Sequence, residues 1–135
     1  MSLSICFAPL RVTLVSLDTR QKIVPLDRAL EQMDGAKCVV VNGYFDPLTA
    51  AHVRRLRELH GEAARLVAVV IDPPEPLLPA RARAELVAGL ACVDCVVLEE
   101  AGLDPVVNAV HEEEADLERR DELIARVRAR HEAGG

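Results

Sequence analysis

The stretch VVVNGYFDPLTAAHVRRL, residues 39–56, decides the fold of this chain. Branched apolar residues run into Asn42-Gly43, then into Tyr44-Phe45-Asp46-Pro47, and a helical spacing follows with Val53, Leu56 and Leu59 or His60 on one stripe. The segment 38–42 is too uniformly apolar for a strand with one wet face, so it predicts a buried strand. Asn-Gly alone would suit a hairpin turn. The helix after it argues instead for a strand–loop–helix unit, with Thr49 as the N-cap and Gly61 at the end.

Working outward, 25–33 predicts a short helix with Pro25 near its start, and 65–71 a second buried strand. The loop DPPEPLLP, 72–79, holds four prolines and excludes both helix and ladder. Pro79 opens a helix to about residue 91 that is expected to bury Leu86, Val87 and Leu90, and 94–98 is a third strand. Asp104-Pro105 predicts a short helix to about Val110, and 112–131 an acidic final helix. RVTLVSL, 11–17, is a further strand-like segment expected to join the sheet. Strands alternating with helices imply an α/β fold, a Rossmann-like three-layer α/β/α sandwich with a mostly parallel sheet. At 135 residues, 1–135 is expected to form a single domain. Ligands in such sheets bind at the carboxyl ends of strands, near the topological switch point.

Composition narrows the function. Trp is absent, and Val, Leu and Ala dominate the apolar half, which suits strands covered by helices. The net charge of −6 lies in the tail: residues 99–132 hold 11 acidic and 5 basic side chains, while the rest balance at 11 each. An acidic tail and the lack of a basic face argue against nucleic acid as a partner. No apolar run approaches the roughly 18 residues of a membrane span, and the N-terminus lacks a basic signal-peptide region, so no membrane partner and a cytoplasmic location are expected. Cys92-Val-Asp-Cys95 has C-x-x-C spacing, but no second pair completes a zinc site and the motif closes a helix instead of opening one. His111 beside Glu112, Glu113 and Glu114 is expected to be a solvated face, so no metal site is assigned.

Asn42-Gly43-Tyr44-Phe45-Asp46-Pro47-Leu48-Thr49-Ala50-Ala51-His52 resembles the signature of the nucleotidyltransferase superfamily that carries a His-x-Gly-His motif. Its cytidylyltransferase-like branch, and within it the sugar-phosphate and heptose-phosphate adenylyltransferases, is the most similar. The resemblance covers residues 22–98, from KIVPLDRAL through LVAVVID to PARARAELVAGLACVDCVV. It implies a nucleotide- and phosphate-binding site made of Asn42, Gly43, Tyr44, Phe45, Asp46, Ala51, Asp72 and Arg83, with His52 and the Thr49 position as catalytic. Gly43 would let a phosphate approach the backbone closely, and the helix start would present N–H groups to an anion.

Several residues depart from that pattern. Thr49 stands where the first histidine belongs, and Ala51 where the glycine belongs. A threonine donates one neutral hydrogen bond and cannot carry imidazolium charge, and losing one transition-state donor typically costs about a hundred- to a thousandfold in rate. The 72–79 loop has no lysine, and no later strand with a Lys-Gly-Gly-Asp-like end is evident. The expected function is therefore a degenerate cytidylyltransferase-like protein that binds a nucleotide or small phosphorylated metabolite with little or no catalysis. The alternative is an active nucleotidyltransferase that moves AMP or CMP from a nucleoside triphosphate, with magnesium, to a sugar phosphate or similar acceptor. Loss of the later strand would leave a sheet edge open, so a homodimer is expected, with the seam of Leu117, Ile124 and Val127 at its interface.

Overall fold

The computed structural model describes residues 18–33, 37–63, 65–98 and 109–134. Four strands, β1 (Cys38–Gly43), β2 (Arg65–Val70), β3 (Cys95–Leu98) and β4 (Val110–His111), form one sheet in the order β3-β2-β1-β4. Every pairing is parallel: Val40 lies opposite Val67, Val67 opposite Cys95, and Val41 opposite Val110. The helices are α1 (Leu26–Met33), α2 (Ala50–His60), α3 (Ala80–Ala88) and α4 (Glu113–Gly134), with a single 3-10 turn at Thr19–Lys22.

Strand periodicity divides the core between the two faces. Leu66, Ala68 and Val70 of β2 point one way and pack with Leu56 of α2 and Ala84, Val87 and Ala88 of α3. Val67 and Val69 point the other way and meet Ala29, Leu26 and Met33 of α1. Both faces of β2 are thus dry, as the unbroken apolar run demands, and the α/β sandwich expected from the sequence is present. On the far side of β3, Val24 donates its N–H to the Val96 carbonyl at 3.0 Å, so residues 23–24 cover that edge.

Three expectations change. The sheet does have a later strand: β4 pairs with β1, and the Glu112 N–H continues the ladder to the Asn42 carbonyl at 2.9 Å. The edge of β1 is therefore occupied along this stretch, and Val110 belongs to a strand rather than to the end of a helix. Second, α3 buries Val87, and Leu90 just past its end packs partly buried against the core as expected, but the helix turns Leu86 outward, 48% exposed, and adds Arg83, Ala84 and Ala88 to the buried face. Arg83 takes a place on the inner face, for reasons the site explains. Leu86→Ala should accordingly shift stability by no more than about 0.5 kcal/mol. Val87→Ala should cost about 1.5–3 kcal/mol, because Val87 is fully buried. Urea unfolding of the two variants distinguishes the faces. Third, the final helix runs to Gly134, three residues past its expected end. The strand expected at 11–17 and the helix start at Asp104 lie outside the described residues.

Because β2 and β3 lie on one side of β1 and β4 on the other, the connections reverse direction between β1 and β4. This switch point is where open α/β sheets hold ligands, and the quoted stretch leaves the carboxyl end of β1 there.

Candidate functional site

Five of the residues assigned from the sequence converge at the end of β1. Asn42 and Gly43 end the strand, Tyr44 and Phe45 form the turn, and His52 returns from the first turn of α2, 2% exposed. The backbone turns sharply here. Phe45 has φ of 49°, a left-handed conformation that costs a non-glycine residue on the order of 1–3 kcal/mol. Its ring is buried, with its centroid 5.8 Å from that of the His52 imidazole.

Thr49 fixes the histidine. The Thr49 N–H donates to His52 Nδ1 at 3.0 Å, and Thr49 Oγ1 lies 2.8 Å from the same nitrogen. A nitrogen accepting an N–H has its lone pair engaged, so in the neutral ring the proton sits on Nε2. Nε2 thereby faces the strand end as a donor, the orientation an anion requires.

An anion is already present, and it belongs to the chain. Asp116, in the first turn of α4 and 3% exposed, accepts the N–H of Tyr44 at 2.8 Å and of Phe45 at 3.2 Å through Oδ2. Its Oδ1 lies 2.9 Å from His52 Nε2, close but not aligned as a directed hydrogen bond. Oδ1 also accepts from Arg119 at 2.6 Å. Burial by itself would push the Asp116 carboxyl up, but His52 and the N–H groups of Phe45 and Tyr44 outweigh it and hold the carboxyl below its ordinary value. Gly43 is the residue that allows this approach. A Cβ there would stand 2.8 Å from Asp116 Oδ2 and 2.9 Å from Phe45 Cζ. The close approach expected of a phosphate is made by a side-chain carboxylate.

Further contacts anchor the start of α4. Glu112 binds Arg55 of α2 at 3.2 Å and Arg119 at 3.1 Å. Arg120 donates to the carbonyls of Pro74 and Glu75 at 3.3 and 3.2 Å, and lies 3.6 Å from Asp46. Asp46 faces the proline-rich loop, accepting the N–H of Leu77 at 2.7 Å and of Leu78 at 2.9 Å.

Arg83 is engaged by the chain itself, and its hydrogen bonds go to residues other than Asp116. It is fully buried and makes four hydrogen bonds, to the carbonyls of Leu78, Tyr44 and Ile71 at 3.0 Å each and to the Asp72 carboxylate. It clamps the loops that leave β1 and β2 to the start of α3, with Asp72 as its half-exposed partner. Ala51 lines a cavity of about 150 Å³ with Thr49, Arg54, Arg119, Glu122, Leu123 and Arg126. Cys92 and Cys95 are free thiols, and burial, with Asp94 nearby, pushes the Cys95 thiol up, which makes it a poor nucleophile.

Asp116 was missed by sequence reasoning, as were Glu112 and Arg119 beside it. The available signal was the spacing 112, 116, 119 and 120, which puts carboxylates and arginines on one helix face instead of scattering them.

Strand, turn and helix start together define a Rossmann-like α/β domain with an anion position at its switch point. The chain is similar to part of the bifunctional protein HldE of Helicobacter pylori strain P12, 32% identical over 98 residues that make up 66% of this chain and 21% of that protein. It is also similar to the bifunctional protein HldE of Hydrogenovibrio crunogenus, 36% identical over 77 residues, 50% of this chain and 16% of that protein. That of Shewanella piezotolerans is 38% identical over 80 residues, 51% of this chain and 17% of that protein. The chain thus spans about a fifth or less of the length of the curated relatives it matches. No family model matches it. These partial similarities support a nucleotidyltransferase-like domain at the level of the family. Among the described residues, no helix is long and apolar enough to cross a membrane.

Proposed function

We propose that this domain binds a nucleotide or a small phosphorylated metabolite at the carboxyl end of β1 and catalyses little or no nucleotidyl transfer. The observation that carries this function is the donor set of Tyr44 N–H, Phe45 N–H and His52 Nε2 surrounding one carboxylate, the first two on Oδ2 and the third facing Oδ1. A phosphate oxygen is recognised by the same chemistry. Transfer needs more, because charge that builds on the phosphate must be met by donors already in place. Thr49 spends its N–H on orienting His52 and brings no second imidazole. Magnesium would arrive with a triphosphate. The carboxylates near the site, Asp46, Asp72 and Asp116, are engaged by backbone N–H groups or arginine and supply no open oxygen cluster for it.

The orientation of His52 Nε2 favours a second function, an active nucleotidyltransferase relying on one histidine. The two are separated by pyrophosphate release from ATP or CTP with magnesium and a sugar phosphate. The expected result is no release above background, together with a rise in melting temperature with AMP, CMP or the triphosphates. Sustained turnover would establish the active enzyme, and the absence of any thermal shift would remove nucleotide binding. A homodimer belongs to the same proposal, with Val127, 58% exposed on α4, as a residue it would cover. Sedimentation as a monomer at micromolar concentration would rule it out.

A further inference from the structure

We infer that the first two turns of α4 are an intramolecular occupant of the anion site, and that a phosphate-bearing ligand binds there only by displacing Asp116. The inference rests on the anion-binding function proposed above and concerns its regulation.

The geometry has two parts. Asp116 uses the donors a phosphate would use, and Gly43 admits its Oδ2 to within a distance that a Cβ would close. Carboxylate and phosphate cannot share that position, because their like charges would meet at van der Waals distance in a buried site. The occupancy is also imperfect. His52 Nε2 is buried and stands 2.9 Å from Oδ1 without an aligned hydrogen bond. Here the carboxylate spends Oδ2 on two backbone N–H groups and Oδ1 on Arg119, and Oδ1 is not turned squarely to the ring. A tetrahedral oxyanion has a third oxygen to offer in another direction. The site therefore leaves a donor that a phosphate can satisfy better than its resident carboxylate does.

The restraint on α4 can be released at its rim. Beyond Asp116, contacts that hold these turns include the Glu112–Arg55 and Glu112–Arg119 pairs, the Arg120 bonds to the 74–75 carbonyls and the Arg120–Asp46 pair. Arg119 also lines the cavity between α2 and α4, beside Arg54, Arg126 and the carboxylate of Glu122. An anion entering that cavity meets the guanidinium that now neutralises Asp116. Transfer of Arg119 to the incoming anion would weaken the hold on Asp116 in the same step.

The test uses the full chain with inorganic phosphate and AMP as probes. Calorimetric affinity is measured for the wild type, for Asp116→Asn and for Arg120→Ala, which loosens α4 without touching the anion donors. Both variants are expected to bind the probes at least tenfold more tightly than the wild type. In the wild type, amide hydrogen exchange at residues 113–120 should accelerate by a similar factor when AMP saturates. If Asp116→Asn does not fold, Arg120→Ala with the exchange measurement still decides. Equal affinity in all three proteins, with 113–120 equally protected, would overturn displacement while leaving anion binding intact at another position. Failure of both probes to bind any of the three would overturn it together with the function on which it rests.

Discussion

Replacing Arg83 by alanine is expected to cost about 3–5 kcal/mol, from the cavity left by a large buried side chain and from buried carbonyls stripped of their donor. That is a large share of the roughly 5–15 kcal/mol that holds a domain of this kind together. The carbonyls of Tyr44, Ile71 and Leu78 all point at this guanidinium, and Tyr44 and Ile71 follow directly from β1 and β2. The ion pair with Asp72 contributes little of the total, since Asp72 is more than half exposed and water screens it. Arg83→Lys should recover only part of the loss, because an ammonium on a flexible stem cannot reproduce a planar fork aimed at three carbonyls on two loops. Urea titration measures all three proteins. A midpoint for Arg83→Ala within 1 kcal/mol of the wild type would mean that the loops keep their places without it. The order wild type, lysine, alanine is the expected signature of a structural clamp. Gripping a bound phosphate with Arg83 would require breaking these bonds.

This clamp also shows why some of the architecture could be read from the sequence and some could not. The runs Cys38–Gly43, Arg65–Val70 and Cys95–Leu98 announce themselves because buried parallel strands need unbroken apolar residues, and glycine or proline marks their ends. Thr49 and Gly61 bound α2 as their capping chemistry predicts. At α3, Val87 and Leu90 face the core as expected, but Leu86 was misplaced and Arg83 missed, because Arg83, a residue that patterning assigns to solvent, makes bonds to carbonyls distant in sequence that carry no local signal. The strand β4 was missed for a different reason. Two residues, Val110–His111, ahead of three glutamates have no strand-like pattern of their own and exist only because β1 offers an open ladder. The site divides in the same way. Gly43, the turn and His52 belong to one contiguous stretch, and their meeting at the strand end was legible. Asp116 lies 64 residues beyond His52 in an acidic helix, where a carboxylate reads as solvated. Only the docking of α4 on β1 turns it inward.

Acidification is expected to release α4 from the strand end before the rest of the domain unfolds. The sign follows from the direction of the Asp116 shift. Its carboxyl is held below the ordinary value in the folded chain, so its contribution is fully present above that ordinary value. It is lost as pH falls below about 4 and passes through the folded pKa. Protonation removes the charge that binds Arg119 at 2.6 Å and faces His52 at 2.9 Å, and it puts a proton among donors already directed at the site. Glu112 faces Arg55 and Arg119, and Asp46 faces Arg120, beside the same helix start. A charged, hydrogen-bonded pair of this kind is worth about 1.5–3 kcal/mol. The sheet core of Val41, Leu66, Ala68 and Val96 has no titrating group and should persist. Hydrogen exchange between pH 6 and pH 3, corrected for the intrinsic rate, should show protection falling first at residues 113–120 and later in β1 and β2. In Asp116→Asn that first step should shrink, since the variant has no carboxylate to protonate at this position. If α4 and β1 lose protection together in both proteins, the docking of α4 is part of one cooperative unit and Asp116 does not govern it.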